Sequence, residues 1–143
     1  MTGAGIEGID RTVHATNGWI HDINERLGWD NRAKSYRLLR AVLHALRDWL
    51  PIGEGANLSA QLPTLLRGVY YEQWRPSTVP TKERDKNTFV ARIERAMKPD
   101  MLDDPEAAIG AVLAILTQKT TSGEIQDVRN ALPKDLRALW PEV

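Results

Sequence analysis

Four basic side chains with helical spacing are the most distinctive charged group in the sequence. Arg37, Arg40, His44 and Arg47 follow one another at intervals of 3, 4 and 3 residues. On an α-helix they fall within about 80° of one face. Such a stripe could dock an acidic protein segment or another anion. The alternative is a structural face that acidic residues of the same fold, such as Asp48, neutralise.

A run of aromatic residues provides a second candidate surface. Tyr70, Tyr71 and Trp74 lie within five consecutive positions. Neighbouring positions of a helix cannot all face the core, so at least one ring should lie near the surface. Aromatic residues and arginine are the usual anchors of protein interfaces. We therefore name Tyr71 and Trp74 as candidate partner-binding residues, with coverage of the following linker as the alternative.

The sequence contains no recognisable catalytic, cofactor-binding or metal-binding constellation. It has no cysteine, which excludes thiol nucleophiles, zinc ribbons and disulfides. The three histidines do not occur in a ligand pattern such as HExxH, and no serine occurs in a GxSxG context. We expect no catalytic residue, no cofactor and no metal, and hence no enzyme.

Charge and hydropathy narrow the class of protein further. Nineteen basic and nineteen acidic residues give a formal net charge of zero, whereas nucleic-acid-binding domains are usually strongly basic. Nucleic acid is therefore an unlikely partner. No apolar run has the length of a membrane span, and the first residues lack the features of a signal peptide. These properties predict a cytoplasmic protein.

The elements that carry these residues repeat at an offset of 70 residues. Residues 41–70 and 111–140 share 10 identities in 30 aligned positions without a gap. The helical spacing of apolar residues in both copies predicts an all-α fold of two tandem, duplicated units of about four helices each, packed into one compact bundle. We place the units at residues 9–74 and 81–143, with a linker at 75–80.

Local signals predict where several helices begin and end. Asp10 is a plausible N-cap, and Gly28 is a plausible stop for the same helix. Further helices are expected at residues 31–50, 81–97 and 104–119, and Thr121 with Glu124 has the form of a capping box. Pro133 should begin the last helix. The expected core includes four leucines, namely Leu43, Leu46, Leu113 and Leu116.

Polar residues common to both copies are expected to be structural. Glu54 and Arg67 are predicted to form a pair that ties the third helix to the fourth, and Glu124 and Arg137 should form the matching pair. The counterparts of the basic stripe in the second copy are instead small: Ala107, Gly110, Ala114 and Thr117. We expect another backbone to approach that helix closely at positions 110 and 114.

Three segments, residues 40–52, 60–76 and 122–141, closely resemble a bacterial family catalogued as domain of unknown function 2267. The Gln-Leu-Pro segment at 61–63 and the Leu-Pro-Lys-Asp-Leu-Arg segment at 132–137 are its most specific parts. The resemblance covers nearly the whole chain. It implies a small, all-helical, cytoplasmic bacterial protein and brings no activity and no catalytic residues.

Taken together, these features predict a non-catalytic protein-interaction module that binds a protein partner or a second copy of itself. Two other classes remain open. One is a small enzyme with an unrecognised site. The other is a module that binds an anion, nucleic acid or lipid through the basic face of the second helix.

Overall fold

The computed structural model describes residues 5–141, and all regular structure in that range is helical. There are seven α-helices and two short 3-10 helices: α1 (Glu7–Leu27), α2 (Arg32–Trp49), α3 (Ile52–Ser59), α4 (Thr64–Tyr70), the 3-10 helix Pro76–Thr78, α5 (Lys86–Met97), α6 (Pro105–Lys119), α7 (Ser122–Ala131) and the 3-10 helix Lys134–Leu139. The all-α prediction is confirmed for the described residues.

The sequence predicted the C-terminal end of α1 correctly but not its N-terminal end. Gly28 ends the helix in the left-handed conformation, at φ 67°, which glycine adopts without steric cost. The predicted N-cap was wrong, because the helix begins at Glu7 and Asp10 lies inside its first turn. Both acidic residues of that turn interact favourably with the positive end of the helix dipole.

Side-chain caps fix the beginnings of the later helices. Asp104 accepts a hydrogen bond from the backbone N–H of Ala107 and starts α6 where expected. Asp85 caps α5 in the same way, so that helix begins at Lys86 and not near residue 81. Thr121 accepts from the N–H of Glu124, which is one half of the predicted capping box. The last predicted helix is the 3-10 helix that follows Pro133.

Helices from residues 9–74 and from residues 81–141 share one hydrophobic core. The leucines predicted at its centre, Leu43, Leu46, Leu113 and Leu116, are fully buried. α1 packs on α2 and α6, α2 packs on α5 and α6, and α3 packs on α7. Trp49 of α2 meets Phe89 of α5 edge-on, with ring centroids 5.2 Å apart. Residues 142–143 of the second predicted unit lie outside the described residues.

Within residues 5–141, no helix is both long enough and apolar enough to cross a membrane.

Candidate functional site

The outer half of the basic stripe is bound to acidic residues of the same fold. Arg37 forms an ion pair with Asp100 and donates to the carbonyl oxygen of Met97 at 2.6 Å. Arg40 donates through Nε to Glu72 at 2.7 Å. Both arginines are partly exposed, but their charges are already met.

The inner half of the stripe is tied to the end of α4. Nε2 of His44 lies 2.7 Å from the carbonyl oxygen of Val69. Arg47 is only 5% exposed, and it donates to the carbonyl oxygens of Tyr70 at 3.0 Å and Glu72 at 2.5 Å. It also donates to Asp48 at 2.8 Å. The four side chains of the stripe therefore all have partners within the fold, which favours the structural alternative.

Two pKa shifts reflect this environment. Burial lowers the pKa of His44, and the neighbouring charges of Arg47 and Arg40 add to the effect, while the contact with the Val69 carbonyl opposes it. For Asp48, burial acts against ionisation, but hydrogen bonds from Arg47 and Arg92 outweigh it and lower the pKa. At neutral pH, His44 is therefore neutral and the neighbouring Asp48 is ionised.

The aromatic run forms a stack on α3, not a free patch. Tyr70 is buried, and its hydroxyl donates to the carbonyl oxygen of Gly55 at 2.9 Å. Tyr71 donates to the Ser59 hydroxyl at 3.0 Å. The Tyr71 ring centroid lies 5.0 Å from that of Tyr70 and 5.1 Å from that of Trp74. Tyr71 and Trp74 are each half-buried, so both keep some surface exposed.

The predicted Glu54–Arg67 and Glu124–Arg137 pairs are wrong. Arg67 donates through Nε to the carbonyl oxygen of Ser59 at 3.0 Å, and Arg137 donates to that of Arg129 at 2.9 Å. Each guanidinium thus satisfies carbonyls at the end of the preceding helix, which lack intrahelical partners. Two matching helix-end contacts replace the expected ion pairs.

Glu54 and Glu124, which were predicted to pair with these arginines, lie instead close to each other at the contact between α3 and α7. Oxygens of Glu54, Glu124 and Asp127 lie within 4.8 Å of one another. Burial raises the pKa of Glu124 most, and the adjacent Glu54 carboxyl and the charge of Asp127 raise it further, to about 7. Three carboxylates at this spacing could share a proton or hold a cation.

A groove runs along the face of α6 that carries the small residues. We call it the α6 groove; its volume is about 780 Å³. Its floor is formed by Ala107, Gly110 and Ala111, and its wall by residues 138–141. Gly110 permits the close approach of the wall, because a Cβ there would lie 3.0 Å from the carbonyl oxygen of Leu139. The predicted backbone contact is confirmed at Gly110.

A smaller cavity of about 160 Å³ shares Arg26, Trp140 and Pro141 with the α6 groove. Ala114 is half-buried and lines this cavity, so no backbone covers it as Gly110 is covered. Arg129 lines the same cavity, with its guanidinium 5.4 Å from the centre of the Trp140 ring. The Trp140 indole N–H donates to the Thr117 hydroxyl at 3.2 Å. Two cationic side chains and an aromatic ring therefore meet at one end of the groove.

Comparison with known proteins agrees with the sequence resemblance. Residues 16–139 match the family model described as "Uncharacterized conserved protein (DUF2267)". The match spans most of the chain, and the protein belongs to this family. No curated protein matches it.

Sequence reasoning did not identify Arg26 or Arg129 as candidate site residues. Neither belongs to a periodic charged stripe, and the two are 103 positions apart in the chain. Only the packing of α1 and α7 on either side of α6 brings them to one cavity. The small residues of α6 indicated a close backbone contact, which is confirmed at Gly110, and not an open face.

Proposed function

We propose that the protein is a non-catalytic protein-interaction module and that its α6 groove binds an acidic, extended segment of a partner protein. One observation carries the proposal: Arg26 and Arg129 converge on one cavity beside Trp140. Within residues 5–141, neither side chain has an ion pair or a polar hydrogen bond. Arginine and tryptophan are enriched among the residues that anchor protein interfaces.

The distribution of unmet charge determines the chemistry of the partner. The other end of the groove is lined by Asp104 and Glu106. Asp104 already caps α6, and Glu106 pairs with Lys86 at 3.2 Å. The charge that remains available is positive, so a partner that supplies carboxylates is favoured.

The shape of the groove supports an extended segment. Leu27, Val90 and Leu139 contribute apolar surface to its lining. A peptide that combines an apolar side chain with acidic residues would match both the apolar lining and the free arginines. The volume is also in the range of sites that hold small ligands or short peptide stretches.

We also propose that the chain arose by duplication of a unit of about 70 residues. The contacts of Arg67 with Ser59 and of Arg137 with Arg129 support this, because both residues of each contact are offset by 70. Under this proposal, the α6 groove is the counterpart of the space that the basic stripe fills in the first unit. Side chains of the first unit fill this space, whereas the small residues of the second unit leave it free to bind a partner.

The test is a selection from displayed random 12-residue peptides with the wild-type protein as bait. Enriched peptides should combine Asp or Glu with an apolar residue. Fluorescence anisotropy of the labelled winners should show about tenfold or greater loss of affinity for the Arg26→Glu, Arg129→Glu double variant. The affinity of wild type should also fall as salt is raised.

The matched control is the Arg84→Glu, Arg95→Glu double variant, which makes the same change of charge at two exposed arginines outside the groove. It should bind the peptides within about twofold of wild type, since distant surface charges are screened. Equal losses in both double variants, or no acidic enrichment, would reject the proposal. Sedimentation velocity decides whether a second copy is the occupant, because that dimer would disappear in the groove variant alone.

The other function classes have weaker support. Glu124 has a raised pKa, as catalytic acids often do, but neither Glu124 nor Glu54 lines the α6 groove or its adjoining cavity. Binding of lipid or nucleic acid through the stripe is disfavoured because its side chains have internal partners. A cytoplasmic location remains part of the proposal.

A further inference from the structure

Two glutamates from different halves of the chain meet in the contact between α3 and α7. Glu54 is in the first turn of α3, and Glu124 is in the first turn of α7, at the same register. Oε2 of each is shielded from water and has no hydrogen-bond partner among protein groups in the described residues. Asp127 lies one turn further along α7 and brings a third carboxylate oxygen to within 4.8 Å.

Two carboxylates this close are not stable with both charges present. Removal from water penalises each ionised form, and repulsion adds to the penalty. A single proton between the two groups removes one charge and provides the hydrogen bond that both buried oxygens lack. The proton belongs to the pair and not to either residue alone.

The neighbouring cations do not balance the pair. None of the three carboxylates forms an ion pair within residues 5–141. On α4, Arg67 is bound to carbonyl oxygens at the end of α3, and the 3-10 helix Lys134–Leu139 holds Arg137 in the same way at the end of α7. Arg129 of α7 lies over Trp140.

Three charged groups on the adjoining helices α2 and α6 are paired elsewhere. On α2, Arg47 and Asp48 bind each other. On α6, Lys119 pairs with Asp22 of α1 at 2.8 Å. Burial raises the pKa of Tyr70 on α4, so this residue stays neutral across the physiological range. A bound proton can therefore neutralise one carboxylate of the pair.

We propose that one proton shared by Glu54 and Glu124 is a latch that holds α3 against α7 and makes the contact between the two halves of the protein sensitive to pH. With the proton bound, the helices are held together. With the proton lost, two buried negative charges push the helix starts apart. The latch is independent of the α6 groove.

The direction of the effect follows from linkage. The folded pKa of Glu124, about 7, lies above the ordinary value of about 4.3 for the unfolded chain. The folded state therefore holds more protons between these two values, and stability falls as pH rises through that window. Above a pH of about 7 this stabilisation is fully lost, and below a pH of about 4.3 it is fully present.

The first measurement is hydrogen exchange of the α3 and α7 amides at pH 5.5 and pH 8, corrected for intrinsic exchange chemistry. In wild type, the opening of these helices should increase by about tenfold or more at the higher pH. The Glu54→Gln variant should lose most of this increase, because an amide can donate a hydrogen bond to Glu124 without a titrating proton. Glu25→Gln, on the exposed face of α1, is the matched control and should behave like wild type.

The second measurement is a carbon NMR titration of the glutamate carboxyl groups. In wild type, Glu124 should titrate near neutrality, and in Glu54→Gln its midpoint should move toward that of exposed glutamates. An ordinary midpoint for Glu124, or equal opening of α3 and α7 at both pH values, would overturn the proposal. Protection of α3 and α7 that depends on added Ca²⁺ or Mg²⁺ at pH 5.5 as well as at pH 8 would assign the contact to a cation and also overturn the proposal.

Discussion

On α2, the face at positions 40, 44 and 47 carries long basic side chains that reach Glu72 and the backbone carbonyls of residues 69–72. On α6, the positions 70 residues later carry Gly110, Ala114 and Thr117, and an open groove lies beside them. Each face contacts the segment at the end of its half of the chain, which is residues 69–72 in the first half and residues 139–141 in the second. The first half fills this space with its own polar groups, whereas the second half brings the backbone close at one point and leaves the rest open.

The difference teaches where a binding function is possible. Arg47 donates its hydrogen bonds to groups of its own fold, so few of its donors are available to a partner. Small residues make no such commitment. The sequence contrast between the two copies was therefore informative, but the half with few charges on this face is the one that leaves space for a ligand.

The largest difference between the halves should appear at positions 47 and 117. Arg47→Ala removes the donor of the Tyr70 and Glu72 carbonyl oxygens and leaves Asp48 with Arg92 alone; loss of these charged hydrogen bonds should cost about 3 kcal/mol. Thr117→Ala removes one hydrogen bond to Trp140 and should cost about 1 kcal/mol. Urea unfolding of both variants measures the contrast. Similar losses would show that the two faces are not built differently.

The end contacts of α3 and α7 should instead behave alike. Arg67→Ala and Arg137→Ala each remove hydrogen bonds from a guanidinium to helix-end carbonyls, at a cost of about 1.5–3 kcal/mol apiece. Arg67→Lys and Arg137→Lys are suitable controls, because they keep the charge and lose the forked geometry. Losses that differ by more than about 1 kcal/mol would count against equivalent roles for the two arginines.

A smaller effect is expected where the second half closes its space with backbone. Gly110→Ala places a methyl group 3.0 Å from the carbonyl oxygen of Leu139. Overpacking costs about 1–3 kcal/mol and is partly offset by the roughly 1 kcal/mol gain in helix propensity. Gly123→Ala meets nothing within 4 Å and should be neutral or stabilising. Thermal unfolding of the two variants should differ in sign or clearly in size.

The smallest effect concerns the pH response of the first half. Because the pKa of His44 is lowered in the folded state, the folded protein holds fewer protons on this group than the unfolded chain. The stability from neutral His44 is present above about pH 6.5 and is lost as pH falls toward the lower folded value. His44→Gln keeps a donor for Val69 and should flatten this slope in melting temperatures between pH 5 and pH 7. An unchanged slope would show that His44 is not responsible.

The fold followed from local rules that the chain obeys consistently. Apolar spacing indicated α2 and α6 almost to the residue, and Gly28 and Asp104 are at helix ends because of their own backbone and side-chain chemistry. The site was harder to predict. Comparison of the two copies singled out Glu54 and Glu124, but spacing within one copy suggested arginine partners.

The error has a physical cause. The partner of Glu54 is its own counterpart, and that contact exists only because α3 packs on α7. A pattern along one chain segment contains no information on which helices from distant segments meet. The same limit hid Arg26 and Arg129, whose cavity is formed by helices from opposite ends of the chain.

The core shared by both halves has a consequence for how the chain gains stability. Trp49 of α2 packs on Phe89 of α5, and α1 packs on α6, so each half completes its burial on the other. Under the proposed duplication, the two halves correspond to two subunits of a dimer, and the segment at residues 75–80 corresponds to a covalent tether. Such a tether replaces a concentration-dependent association by an intramolecular one, and a chain cut at that segment would have a stability that depends on protein concentration.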